Sequence, residues 1–384
     1  MIRKPILFLD HADALGGAER SLLLLLRRLD RTRWEPHLVC PEGAVAEEAL
    51  EISVEVHPFD FPRLRCSTSA PADWIGGARK LADIASECGA VFLAANTVRS
   101  AFYGALAVRI AGVPFVWHMR DFWLGESRPR RLWADTLGKR FLCSLSSLII
   151  ANSHATAAHI PCHGKVEVIH NGIEVTDFDP HMDGTPFRRE HAIPESVPLV
   201  GTIGRLRPWK GQDRLLRVFA RVAEAVPDAW GVVVGGAVFG VEDGYEERLH
   251  CLANELGIAD RVVFTGHLAD TRPALAAMDV FVHPGDPEPF GLVNVEAMAM
   301  AKPVVAFSHG ALPEIVVDGE TGVLTPSDDE DALAAAVVRL LTSPDVREAM
   351  GRAGRQRVKR DFTAARMVPR VERLYLQLLS PSTI

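Results

Sequence analysis

The stretch that decides the fold runs from Val280 to Ala301 and reads VFVHPGDPEPFGLVNVEAMAMA. Its opening, VFVHP, reads as a strand. GDPEPFG follows as a loop of glycines and prolines at the carboxyl end of that strand. A helix is expected to begin near Phe290 or Gly291 and to run through LVNVEAMAMA. The free N–H groups at such a helix start, with its positive dipole end, suit a phosphate. Gly291 would let a ligand approach the backbone closely. Glu288 precedes the helix and Glu296 lies more than one turn inside it, eight positions further on. On one reading both are solvated surface carboxylates. On the other, one faces a reacting group and the other accepts hydrogen bonds from a ribose diol, as acidic groups do in other nucleotide sites.

The same alternation extends along the chain. Pro5–Asp10, His37–Cys40, Ala90–Ala94, Pro114–His118, Leu148–Ala151 and Val166–His170 read as strands, with a helix over Ala18–Leu29. Residues 171–198 carry prolines, aspartates and glycines with weak periodicity and read as a linker. A second set begins with LVGTIGRL and continues through WGVVVGG, RVVFTGHL, VFVHP and PVVAFS. Strands alternating with helices make parallel sheets covered on both faces, and 384 residues are too many for one ordinary core. The expected fold class is α/β, with two Rossmann-like doubly wound domains over residues 1–175 and 176–361 facing a central cleft, the default ligand site. Residues 362–384 are expected to form a helix that crosses back to the first domain and couples the two as they close.

Composition narrows the function. The chain is 48% hydrophobic and 24% charged, as in globular proteins, and its net charge of −7 argues against a nucleic-acid partner. Six cysteines at 40, 66, 88, 143, 162 and 251 form no CxxC pair, which predicts reduced thiols in a cytoplasmic protein. No apolar run reaches the length of a membrane span, and Ile6–Leu9 is too short for a signal peptide. SDDED (Ser327–Asp331) resembles an acidic metal cluster but precedes a helical pattern, where Ser and Asp act as caps. His154, His159 and His163 lack companion zinc ligands. Residues 120–140 place six basic side chains (Arg120, Arg128, Arg130, Arg131, Lys139, Arg140) against Asp121, Glu126 and Asp135, with Trp133, Leu137, Phe141 and Leu145 at helical spacing. That pattern fits a basic amphipathic helix resting on an anionic membrane, and equally a core-facing stripe with a solvated basic face.

Three further segments lie at carboxyl ends of strands. GRLRPWKG (Gly204–Gly211) carries Arg205 and Lys210, two cations able to neutralise a diphosphate leaving group. ALGGAER (Ala14–Arg20) puts Gly16 and Gly17 at a helix start, open to a phosphate or a sugar or forming a plain turn. VWHMRDFW (Val116–Trp123) ends a strand with His118 and Asp121, expected to face the cleft. GGAVFG (Gly235–Gly240) lacks the spacing of a dinucleotide fingerprint, but Gly235 remains a candidate for close approach of substrate.

GGAER, HNGIE, GRLRPWKG, FTGHL, EPFGLVNVE, GALPEIV and DGETGVL stand in this order over nearly the whole chain. In this the sequence resembles the family-four glycosyltransferases of the GT-B fold. The resemblance implies retaining transfer of a sugar from a nucleotide-sugar, without an essential metal or cofactor, to a glycan or lipid-linked acceptor. It implies that Arg205 and Lys210 bind the donor diphosphate, Glu296 the ribose and Glu288 the donor sugar. The backbone of Phe290, Gly291, Leu292 and Val293 would cradle sugar and phosphate. Gly17 would approach the diphosphate, and His118 would lie near the sugar and help place the acceptor. Peripheral association with the cytoplasmic membrane face accords with the many relatives that act on lipid-linked acceptors. Asn294, where the family has an apolar residue, and Ala311, where it has a second glycine, depart from the pattern. The rival functions on this fold are an epimerase acting on UDP-N-acetylglucosamine and a silent nucleotide-sugar or glycan-binding scaffold.

Overall fold

The computed structural model describes residues 3–64, 70–122, 132–236 and 244–380. The chain forms two compact units, one of Met1–Gly172 with Ala364–Ile384, the other of Ile173–Thr363. The chain changes unit at 172/173 and 363/364, where the sequence suggested 175/176 and 361/362. The physical reason is local: the Ile173 N–H donates to the Phe362 carbonyl at 2.9 Å, and Ile173 bridges Thr363, so the outgoing and returning strands of chain are tied together there.

Unit 1 holds a seven-stranded sheet of β1 (Lys4–Leu9), β2 (Trp34–Cys40), β3 (Glu55–Pro58), β4 (Leu93–Ala95), β5 (Phe115–Met119), β6 (Leu148–Ala151) and β7 (Val166–Val168). Their order is β3-β2-β1-β4-β5-β6-β7, all parallel. Alternate residues serve opposite cores. Leu7, Leu9, Phe115 and Trp117 pack with Leu81, Tyr103 and Leu142. Ile6, Phe8, Phe92 and Val116 pack with Leu22, Leu26, Trp34 and, from the last helix Ala364–Leu379, Val368, Val371 and Tyr375. Burial on both faces explains why these strands read as continuous apolar runs. The last helix is therefore a structural part of the first unit's core.

Unit 2 has a six-stranded parallel sheet of β8 (Leu199–Ile203), β9 (Trp230–Val234), β10 (Val262–Phe264), β11 (Val280–His283), β12 (Val304–Phe307) and β13 (Gly322–Thr325), in the order β10-β9-β8-β11-β12-β13. Two strands, β3 (EVHP) and β13 (GVLT), are absent from the sequence reading; each carries a proline or a glycine at one end. The 171–198 segment is more than a linker. It contains the helix Thr185–Glu190, and its Arg188 is buried, donating to the carbonyls of Ala277 and Val197 at 2.6 and 2.7 Å and pairing with Asp279. A guanidinium hub satisfies backbone groups without leaving a hydrophobic period.

The cysteine reading is corrected: Cys143 and Cys162 form a disulfide, whereas Cys40, Cys88 and Cys251 are free thiols. The pair joins the helix Leu132–Leu145 to the turn after the helix His154–Ala158, a proximity that spacing along the chain does not reveal. The basic stretch is also revised. Lys139 is buried, donating to Asp135 at 2.9 Å and to the Phe122 carbonyl at 3.1 Å, so it is not available to an anionic surface. Phe141 stacks on Phe102, and Leu145 packs on the core, while Leu137 is exposed. Arg128, Arg130 and Arg131 lie outside the described residues, as does the side chain of Trp133. Asp329 caps the helix Glu330–Thr342 by accepting from the Ala332 N–H, in accord with the capping reading of SDDED. Among the described residues, no helix is long and apolar enough to cross a membrane.

Candidate active site

In unit 2 the stretch quoted first folds as β11, a loop, and the helix Leu292–Ala299, with Gly291 as N-cap in the left-handed region. The loop is held by close backbone approach. A side chain on Gly310, at φ +54°, would stand 2.6 Å from both the backbone nitrogen and oxygen of Glu288, and the Ala311 N–H donates to that same oxygen at 2.9 Å. Only glycine fits there without moving Glu288. Ala311 thus fills its place through its backbone, and its side chain is buried.

Lys210, from the turn after β8, donates to the Glu288 carboxylate, and both side chains are largely shielded from solvent. His283, the last residue of β11, places Nε2 3.8 Å from the same carboxylate. Burial alone would raise the Glu288 carboxyl, but the charge of Lys210 and the lysine hydrogen bond hold it below its ordinary value. Burial pushes His283 down to about 4, against the opposing pull of Glu288. The site at neutral pH therefore holds a lysine cation, a glutamate anion and a neutral imidazole. Asn294 explains the imidazole's orientation. Its amide nitrogen donates to the Gly291 carbonyl at 3.1 Å and lies 3.4 Å from His283 Nδ1. The ring nitrogen then accepts, which leaves the proton on Nε2, toward Glu288. Asn294 is thus buried and orients a histidine.

The other unit 2 candidates fall around this pair. Arg205 is exposed, and its carbonyl accepts from Gln212 at 2.9 Å, which fixes the turn. Phe290 is buried against Phe362, so only its backbone faces the loop. Leu292, Val293 and Glu296 are half-buried on the helix. A side chain on Gly235 would strike the Gly204 carbonyl, so this glycine lets the carboxyl ends of β8 and β9 approach each other. His283 escaped the sequence reading, and Asn294 enters it only as a departure from the family pattern. The available signal was a histidine at a strand end, immediately before a glycine–proline loop.

In unit 1 the strand ends carry a different arrangement. Gly16 caps the helix Gly17–Arg28, and its N–H donates to Glu19 at 3.0 Å. Arg120, just past β5, donates to Asn96 at 2.5 Å, Ser21 at 2.6 Å and Asn171 at 2.7 Å. Asn96 in turn donates to Asp10 at 2.7 Å. Burial, then the charge of Glu19, pushes Asp10 up to about 7, and burial pulls Arg120 down to about 10. His118 is buried in β5, 2.8 Å from the Tyr375 hydroxyl of the last helix, and burial with Arg120 holds it well below its ordinary range. Asp121 is exposed two residues beyond that strand. A small cavity lined by His118, Arg120, Asn152, Asn171 and Met367 adjoins the network.

Two doubly wound units, the second presenting a lysine–glutamate pair at a helix start, define the GT-B class of transferases. Residues 183–357 match the family described as glycosyl transferases group 1, and residues 15–177 match glycosyltransferase family 4. The chain is 31% identical over 242 residues to a lipopolysaccharide core mannosyltransferase, LpsB, of Rhizobium meliloti, covering 62% of this chain and 68% of the relative. It is 40% identical over 193 residues to a GDP-mannose-dependent alpha-(1-6)-phosphatidylinositol monomannoside mannosyltransferase of Mycolicibacterium smegmatis. That match covers 48% of this chain and spans 49%, about half, of the relative. The crystal structure of Anabaena HepE in complex with UDP and glucose superposes with a TM-score of 0.84 at 28% identity, covering 97% of this chain and 99% of that one. The protein belongs to glycosyltransferase family 4.

Proposed function

We propose that the protein is a retaining hexosyltransferase that moves a sugar from a UDP- or GDP-sugar to a polysaccharide, oligosaccharide or lipid-linked acceptor of the cell envelope. The observation that carries this reading is the Lys210–Glu288 pair beside the start of the helix Leu292–Ala299. A diphosphate arriving there meets a fixed ammonium, free helix N–H groups and the exposed Arg205. It competes with Glu288 for Lys210, and the displaced carboxylate turns to the hydroxyls of the donor sugar. Glu296, on the next turn, takes the ribose diol.

In the transfer the bond from C1 to the diphosphate oxygen breaks while the acceptor hydroxyl attacks the same face. The hydroxyl proton passes to the departing phosphate oxygen. The protein's part is to position the reactants and to stabilise charge on the leaving group, with Arg205, Lys210 and the helix amides as donors and no metal required. GDP-mannose in the name of one relative and UDP-glucose bound in a HepE structure support the donor class. The phosphatidylinositol monomannoside named for the first supports a lipid-linked acceptor.

The test is calorimetric binding of UDP, GDP and ADP and their sugar conjugates with EDTA present, for wild type, Glu296→Ala and Lys210→Ala. Binding of one nucleotide, weakened by both substitutions, is the expected result. Absence of binding to all of them overturns the transferase reading in favour of a silent scaffold. Turnover of UDP-N-acetylglucosamine with no acceptor present would favour the epimerase.

A further inference from the structure

We propose that the free edge of the unit 1 sheet carries a binding site for a divalent transition metal of the zinc type, built from His37, Glu55 and His57. The register brings the three together. His37 of β2 is the direct partner of Glu55 on β3, the edge strand, and His57 stands two residues beyond Glu55. Residues two apart on a strand, and paired residues on neighbouring strands, project from the same face. The side chains converge accordingly. His37 Nδ1 lies 3.2 Å from His57 Nε2 and 3.5 Å from one Glu55 oxygen, and His57 Nε2 lies 3.8 Å from the other.

These separations match a coordination polyhedron. Ligands at about 2.0–2.1 Å from a tetrahedral zinc stand about 3.3 Å from one another. A plain N–H···N bond between the rings accounts for the first distance but not for a carboxylate set against the same two nitrogens. The rings are stacked, with centroids 5.5 Å apart and planes 22° from parallel. His37 is buried and fixed, His57 is half-buried, and Glu55 is exposed. The fourth position therefore opens to water, as in three-ligand zinc sites.

The chemistry of the donors selects the ion. Two imidazoles and one carboxylate suit zinc and its first-row neighbours, whereas calcium and magnesium ask for oxygen alone. The site belongs to unit 1 and the proposed donor loops to unit 2, and the proposed transfer uses no metal. Its effect is to pin a four-residue edge strand to its only neighbour.

The experiment uses the full chain, stripped with EDTA, dialysed and titrated with Co²⁺ and then Zn²⁺. One equivalent of Co²⁺ should bind with visible ligand-field bands, which Zn²⁺ displaces. His57→Ala and Glu55→Gln should each weaken binding by more than the roughly 10- to 100-fold that follows loss of an outer-shell partner. Both positions lie on an edge strand, and Glu55→Gln changes an exposed side chain, so at least one variant retains the fold, checked by circular dichroism. Unchanged Co²⁺ affinity in a folded variant, or absence of bands in the wild type, overturns the proposal and leaves a simple His–His hydrogen bond.

Discussion

The two units place polar residues at the carboxyl ends of parallel strands and use them in opposite ways. In unit 1, Asp10, Asn96, Arg120 and Asn171 follow β1, β4, β5 and β7 and bond one another, so the charge of a buried guanidinium is spent inside the fold. In unit 2, Lys210 and Glu288 follow β8 and β11 and form a pair beside free helix N–H groups. A fully satisfied network specifies structure, whereas a pair that an incoming anion can divide is poised for function. Position at a strand end identifies both, and only the partners tell them apart.

Exchanging the two losses breaks or sharpens this contrast. Arg120→Ala leaves three buried polar partners, Ser21, Asn96 and Asn171, short of a donor and should destabilise unit 1 by about 3–5 kcal/mol, read from denaturant unfolding. Lys210→Ala should instead lower kcat/KM by about 10²–10³-fold, with a smaller loss of stability than Arg120→Ala because Lys210 is partly exposed. If Lys210→Ala unfolds the protein while Arg120→Ala only slows it, the assignment of roles is reversed.

A pH series probes the unit 2 side. His283 is buried and neutral, with its pKa moved from 6.5 to about 4. The unfolded chain binds the extra proton first, so its contribution to stability is complete above pH 6.5 and is lost as pH falls toward 4. His283→Asn should remove on the order of 2 kcal/mol of that acid sensitivity, measured as the difference in unfolding free energy between pH 7 and pH 4.5. Tyr375→Phe makes a smaller test in unit 1. It removes one hydroxyl bonded to His118 and should cost about 1 kcal/mol. Zinc should give the smallest effect: each kcal/mol of binding linkage raises the melting temperature of a unit this size by about 2–4 °C, and Glu55→Gln should abolish the rise.

The sequence made the repeated strand–loop–helix unit legible because buried parallel strands keep their apolar runs, and because Gly291 lies close to the actual start of its helix. GRLRPWKG and EPFGLVNVE were recognisable for the same reason: their residues act through local geometry. What stayed hidden depends on distance along the chain. Arg120 reaches back to Ser21 and forward to Asn171, Arg188 answers carbonyls near Ala277, and Cys143 meets Cys162. His118 meets Tyr375 only through the fold, and nothing near it in sequence announces that partner. His37 and Glu55 meet only through the pairing of β2 with β3, which the separation along the chain does not announce.

The last helix has a consequence for how the protein is made. Tyr375, Val371 and Val368 cover one face of the first unit's sheet, packing among Phe8, Trp34 and Phe92. On a ribosome adding about 5–20 residues per second, that face waits on the order of 10–40 s after Gly172 for the chain that covers it. Unit 2, whose residues run without interruption from Ile173 to Thr363, has all of its parts before then. The second unit can therefore finish folding first, and the nascent first unit presents an apolar face that trigger-type holding chaperones would be expected to shield.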